Sequence, residues 1–221
     1  MLTLPEYTPD LSERFAADGY LPLPALLPPA ALAALDDEAG RLAALAVRRD
    51  FDMECTDRSP RHMTTLGGHV IVRESELIPR LYHDEVLLSL VSRIAGLLAV
   101  AVRDPLERHV LNTLHQPGDT HGAHTDDYPL ALVLFIEAPH DPAHGGLLEY
   151  TPHTTDLTTL DTGTARRAHH RPGDGYLLRS DTTAHRVTPL NRPGMRRTVA
   201  NFAYTTPDRQ QALTPSAAQL Y

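Results

Sequence analysis

The sequence has no tryptophan, a single cysteine (Cys55), and aromatic residues at only 5% of its 221 positions. One cysteine cannot close an intramolecular disulfide or furnish a multi-cysteine zinc site, which excludes a disulfide scaffold and a structural zinc fold and makes a reducing, cytoplasmic setting the expectation. Basic residues are also short: 20 Lys and Arg against 28 Asp and Glu leave a formal charge of -8 and a pI near 5.9. That balance supplies no basic face for nucleic acid or an anionic membrane, so a small molecule is the expected partner. No uninterrupted apolar run reaches the ~20 residues that span a bilayer, and MLTLPEYTPDLSERF lacks the basic start and apolar stretch of a signal peptide.

What the chain does have is 42% hydrophobic and 22% charged residues, enough to bury one core and to expect a single domain over 1–221. The N-terminal third reads as helical. Asp10 and Glu13 predict a capping box for a helix ending near Gly19. Leu32, Leu35, Ala39, Leu42 and Ala46 recur at helical spacing, and Arg48 and Arg49 suit the negative end of that helix. A third helix is expected from Asp84 to Gly96, with Leu87, Leu88, Val91 and Ile94 inward. From Leu97 onward the pattern changes to short apolar runs between Pro, Gly and Asp turns, as in RHVLNTL, YPLALVLFIE, GGLLEY, DGYLLRS and RRTVANFAY. The expectation is a mainly β fold with N-terminal helices, a jelly roll or cupin-like double-stranded β-helix, with a helical buttress over 1–96 and a β core over 97–206. The polar stretch HTTDLTTLDTGTARRAHHRPGD reads as a mobile surface loop.

DTHGAHTDDYPLALVLF is crowded with polar groups directly before an apolar strand. His124 and Asp126 lie two apart, so on a strand they share a face. His185, in DTTAHRV, offers a third ligand from a later strand. Two histidines and a carboxylate on one face of an octahedral ion form the facial triad of non-heme Fe(II) oxygenases. A His-x-acid pair is weak on its own in a chain with 13 histidines. A second copy, His83 to Glu85, falls at a helix start, where such side chains diverge. The joint pattern is stronger, because Arg196 and Arg197 follow His185 by eleven and twelve residues at the start of the last apolar strand. Only one of two neighbours on a strand can face inward, and a buried guanidinium needs an anion such as the far carboxylate of a dicarboxylic cosubstrate.

The order His-x-Asp, about sixty residues, H-x-V-x-P, then Gly and Arg, resembles the Fe(II)/2-oxoglutarate-dependent dioxygenases over residues 97 to 206. FAADGYLPLPALL resembles the start of their phytanoyl-hydroxylase-like branch. SPRHM, DPLER, GDTHGAHTDDYPLALV and GGLLEY are together similar to a small bacterial branch of free amino acid (lysine-type) hydroxylases and radical halogenases. The resemblance implies Fe(II), 2-oxoglutarate and O2 as cofactors. It makes His124, Asp126 and His185 the metal ligands and assigns 2-oxoglutarate to Arg197 or Arg196. Substrate contacts are implied for Arg61, Glu107, His121, Asp127 and Asn201. Halogenases of that branch carry glycine or alanine at the position of Asp126, so hydroxylation of a small, lysine-like amino acid is the expected activity. Desaturation, cyclisation or epoxidation with the same cofactors, on a free or a carrier-bound substrate, is the alternative, and a non-catalytic cupin-like binding protein is the rival of another class.

Parity separates the arginines: Asn201 shares a face with Arg197, whereas Phe202 and Tyr204 share one with Arg196, which favours Arg197. Asp127 reads equally well as a turn acid or as a partner for a substrate ammonium. His140, His144, His153, His169 and His170 are expected in exposed loops, and Gly145 and Gly146 at positive φ in a turn.

Overall fold

Alternation along Leu130–Glu137 sets the layering of the molecule. Leu130, Leu132, Leu134 and Ile136 pack toward the helices, while Ala131, Val133 and Phe135 face the opposite way against Tyr150, Tyr176 and Val199. The computed structural model describes residues 2–210 and 214–221. Its helices are α1 (Pro9–Asp18), α2 (Pro29–Leu42), α3 (Gly68–Glu74), α4 (Leu77–Tyr82), α5 (Glu85–Ala95) and α6 (Pro215–Leu220). The strands are β1 (Tyr20–Leu23), β2 (Val47–Met53), β3 (Ser59–Leu66), β4 (Val100–Ala101), β5 (His109–Leu114), β6 (Thr120–His124), β7 (Leu130–Glu137), β8 (Leu148–Thr151), β9 (Arg166–Ala168), β10 (Gly175–Leu178), β11 (Ala184–Val187) and β12 (Arg197–Thr205).

All the strand pairs are antiparallel, in the order β1-β10-β7-β12-β5-β3-β6-β11-β8-β9, with β2 added to β3 and β4 to β12. β3 is the joint between two halves. Its Thr64–Leu66 end pairs with β5, and its Arg61–His62 end pairs with β6. The sheet therefore curls at β3 into a half-open barrel, the double-stranded β-helix that the strand pattern suggested. Gly122 permits the close crossing at that joint, since a Cβ there would stand 2.6 Å from Pro60 Cδ and 2.7 Å from its carbonyl oxygen.

The helices cover the outer face through Phe15, Leu35, Leu42, Ile78, Leu87, Val91 and Ile94. α5 begins and ends where the sequence indicates: Asp84 Oδ1 accepts from the backbone N–H of Val86 and Leu87, and Gly96 closes it in the left-handed region at φ 63°. α1 also stops at a left-handed Gly19, but Thr8 holds its N-cap position and no side chain caps it, so the Asp10–Glu13 box does not form.

Several other expectations are corrected. The first 96 residues are not purely a helical buttress, because β1, β2 and β3 lie within them and join the barrel. Arg48 and Arg49 belong to β2 rather than to a helix end. Arg48 reaches across to the buried Asp119, Nη2 to Oδ1 2.7 Å. The polar stretch after Thr151 is no open loop: it holds a 3-10 turn at Leu157–Asp161 with Leu160 buried, and then β9.

Asp119 ties the turn before β6 to β2 and to the backbone. Its Oδ2 accepts from the N–H groups of His115 (2.8 Å) and Gln116 (3.1 Å). Burial pushes this carboxyl up, but the Arg48 guanidinium and the two backbone donors outweigh it, so its pKa falls below the ordinary value. A depressed pKa contributes stability above the unfolded-state pKa that is lost as pH falls through the folded value, a window below about pH 4. Asp119→Ala is expected to cost about 2–3 kcal/mol at neutral pH by orphaning these donors, read from the urea midpoint, with the deficit shrinking toward pH 3. An equal deficit at both pH values would show that the lost packing matters and the charge does not.

Candidate metal centre and flanking chambers

His124 and His185 are direct register partners on β6 and β11, with ring centroids 4.1 Å apart inside the barrel. Asp126 reaches them differently from the strand alternation expected: β6 ends at His124, and Asp126 sits in the following turn. That turn is held by its own N–H, which donates to Ser180 O at 2.9 Å, and by Ser180 Oγ donating to Tyr128 O at 3.0 Å. Asp126 Oδ1 lies 3.4 Å from His124 Nε2 and 3.8 Å from His185 Nε2.

Both imidazoles have their tautomer set by the backbone. Nδ1 of His124 is 2.7 Å from Gly122 O, and Nδ1 of His185 is 2.9 Å from Thr183 O. A carbonyl only accepts, so each Nδ1 carries a proton, and Nε2 is the ring nitrogen that each histidine turns toward Asp126. Burial, together with the His124 ring, lowers His185 to about 4 and keeps it neutral. Burial would raise Asp126, but His124, His185 and Ser180 hold it below the ordinary carboxylate value. Two imidazole nitrogens and one carboxylate oxygen within 4.8 Å of one another fit a divalent transition-metal ion with open positions.

Two cavities meet at this cluster and share Asn112, His121, His124, Asp126 and Asn201. The first is lined by Tyr176, Val187, Val199 and Arg197. Arg197 is 3% exposed, and among the described residues its Nε has no partner. Its guanidinium lies 5.0 Å from the Phe135 ring centre, and burial lowers its pKa with only the Tyr176 hydroxyl acting against that. Arg196 is on the other face, exposed, with Nε 3.1 Å from Glu137. Behind Arg197 stands His170, which is buried rather than in an exposed loop: it stacks on Phe135 at 4.5 Å and bonds the Tyr20 hydroxyl at 2.9 Å. Burial and then Arg197 push it down to about 3, so this wall of the cavity adds no second charge.

The second cavity contains Arg61, Glu107, His121, Asp127 and Asn201 together. Arg61 is 1% exposed and donates to Ser59 Oγ (2.6 Å), Pro60 O (3.1 Å) and Thr56 Oγ1 (3.2 Å), all uncharged, while its Nε is unpartnered among the described residues. Burial lowers it to about 10. His121 stacks on His124 at 4.2 Å, and Asn201 Oδ1 has no partner. Burial raises Glu107 to about 7, despite hydrogen bonds from Thr214 and Ser216. Asp127 is not a turn cap, since its carboxylate meets the Ser216 hydroxyl.

Sequence reasoning missed Tyr128, Tyr176, Asn112 and Ser216. A tyrosine in GYLL or an asparagine in HVLNTL looks like ordinary strand content, and only the curl of the sheet turns them inward. A larger cavity of about 500 Å³ lies between α2 and the outer sheet face, lined by Leu66, Leu111, Thr113 and Thr198. None of the unpartnered buried polar atoms among the described residues lines it.

No curated protein matches the sequence. Solved structures share the fold at low identity. The epimerase SnoN from nogalamycin biosynthesis, in complex with Fe3+, alpha ketoglutarate and nogalamycin RO, is 18% identical with a TM-score of 0.67, over 89% of this chain and 82% of that one. A Pseudomonas putida prolyl-4-hydroxylase is 16% identical with a TM-score of 0.61, over 89% and 97%. HygX from Streptomyces hygroscopicus with nickel and 2-oxoglutarate bound is 14% identical with a TM-score of 0.65, over 91% and 88%. The model of one protein family, HalD or Halogenase D, matches residues 4–219, nearly the full length, and this chain belongs to that family.

Proposed function

We propose that the protein is an Fe(II)/2-oxoglutarate-dependent oxygenase that hydroxylates an unactivated C–H of a small free amino acid with a cationic side chain. The observation that carries this reading is the placement of unpaired charge. Two buried guanidiniums without acid partners among the described residues, Arg61 and Arg197, lie on either side of the His124–Asp126–His185 cluster, and an acid pair, Glu107 and Asp127, lies beside one of them. Buried charges of this kind call for ligands of opposite sign. Arg197 suits the far carboxylate of 2-oxoglutarate, a dicarboxylate, and Arg61 suits the carboxylate of an amino acid whose ammonium reaches Glu107 and Asp127.

His124, Asp126 and His185 would hold iron, which together with 2-oxoglutarate and O2 supplies the oxidising power to replace C–H by C–OH, releasing succinate and CO2. The chain's own residues do the positioning. Arg61 and the acid pair fix the substrate at both ends, which decides which C–H faces the centre. His121 and Asn201, shared between the cavities, stand between substrate and cosubstrate.

Family membership favours a second reading, halogenation. Asp126 argues against it, because its carboxylate lies against both histidine Nε2 atoms and fills the position a halide would take. One experiment separates these readings: Fe(II)-dependent succinate release over the proteinogenic amino acids and ornithine, with product mass recorded with and without chloride. The expected product gains one oxygen atom at a rate independent of chloride. A chlorinated product would overturn the hydroxylase reading, and loss of two hydrogens would redirect it to desaturation. Release with a neutral amino acid and none with lysine, ornithine or arginine would sink the cationic-substrate reading.

A further inference from the structure

The hydroxyl of Ser216 on α6 stands between the two acids of the second cavity. It contacts Asp127 Oδ2 and lies 2.9 Å from Glu107 Oε1, while Thr214 Oγ1 donates to Glu107 Oε2 at 2.8 Å. One hydroxyl has one proton and serves one carboxylate at a time. Asp127 and Asp126 act on Glu107 as like charges, and among the described residues no Lys or Arg forms an ion pair with it. Independent groups in the same cavity also await a ligand. Tyr128 is 3% exposed and Arg61 1% exposed, and among the described residues neither the Tyr128 hydroxyl nor the Arg61 Nε has a hydrogen-bond partner.

We infer that Ser216 is a specificity-determining residue, the third acceptor of a subsite for a primary ammonium group that Glu107 and Asp127 complete. An –NH3+ group carries three donors. The subsite opposes it with one carboxylate oxygen from the loop before β5, one from the turn after Asp126, and one hydroxyl oxygen from α6. As acceptor Ser216 turns its own proton away, and Thr214 Oγ1, 3.1 Å distant, is there to take it. A planar guanidinium is matched by the fork of one carboxylate and gains little from a third acceptor off its plane. A trimethylammonium has no proton to offer. The inference rests on the amino-acid reading of the cavity and narrows it to substrates with a terminal primary amine.

Calorimetric titration of the full chain with lysine, ornithine, arginine and Nε-trimethyllysine tests it without requiring turnover. Ser216→Ala is expected to weaken lysine or ornithine binding about tenfold, the scale of one hydrogen bond to a charged group, and arginine binding less than twofold. Ser216→Thr, which keeps the hydroxyl, is expected to stay within about twofold of the parent. Unchanged lysine affinity in Ser216→Ala, or an equal loss for arginine, would overturn the proposal. If the alanine variant does not fold, the near-isosteric Ser216→Cys, whose sulfur accepts weakly, decides by the same criteria. Lysine binding that depends on Ser216 without succinate release would sink the oxygenase reading and leave the subsite. Succinate release from a neutral amino acid, with no binding of lysine or ornithine, would do the reverse.

Discussion

His124→Ala is expected to lose bound iron and to cut succinate release about 1,000-fold or more, since altering only the outer hydrogen-bond partner of a ligand already costs about 10–100-fold. His124 is the central member of the cluster, its Nε2 3.4 Å from Asp126 Oδ1 and its ring centre 4.1 Å from that of His185 at a tilt of 50°, and its Nδ1 is committed to Gly122 O. The neighbouring ring, His121, is half-buried and lies stacked against His124 at 4.2 Å, so it does not occupy the place of His124 Nε2. The appropriate measurements are iron stoichiometry after reconstitution and single-turnover succinate yield. His121→Ala is the control and is expected to retain iron while losing substrate affinity. Unchanged turnover in His124→Ala would sink the metal assignment, and loss of iron in His121→Ala as well would show that the ligand set had been drawn one residue too small.

How much of this could be read beforehand depends on whether a feature is local. α5 was legible because Asp84, the apolar spacing and Gly96 all act within a few turns of chain. The inward face of Arg197 was legible too, since parity along β12 is a property of the strand alone. β2 was not. It is an edge strand paired only with β3, and its charged Arg48, Arg49, Asp50 and Asp52 need not alternate cleanly when one side is open to water. His170 was invisible for the opposite reason, as its polar neighbours disguise a ring buried by Phe135, Tyr20 and Tyr176 from other strands. The approach of Ser216 to Glu107 and Asp127 spans 109 and 89 residues, and no local pattern encodes a contact of that separation. Even the His124–Asp126–His185 cluster was reached by a partly mistaken route: the pairing of His124 with Asp126 comes from the turn after β6, where strand alternation does not apply.

Arg197→Met is expected to act in opposite directions on the free protein and on its use of 2-oxoglutarate. In the free protein Arg197 is a buried cation whose nearest polar help is an uncharged tyrosine hydroxyl, and burial already depresses its pKa. An apolar side chain of similar length beside Phe135 and Val199 removes that desolvation cost, so thermal stability without cosubstrate should rise by about 1–3 kcal/mol. The same change removes the partner of a buried carboxylate, a loss of about 2–5 kcal/mol, so the KM for 2-oxoglutarate should rise about 100-fold or more. Stability gained together with cosubstrate binding lost is the signature of a charge kept for a ligand, and a purely structural arginine would lose both. Arg196→Met supplies the contrast, since its exposed pair with Glu137 is worth at most about 1 kcal/mol and faces away from the cavity. If Arg196→Met raised the KM and Arg197→Met did not, the cosubstrate would be bound on the outer face. If neither did, the dicarboxylate reading of this cavity would fall, while the iron cluster would still be judged by His124→Ala.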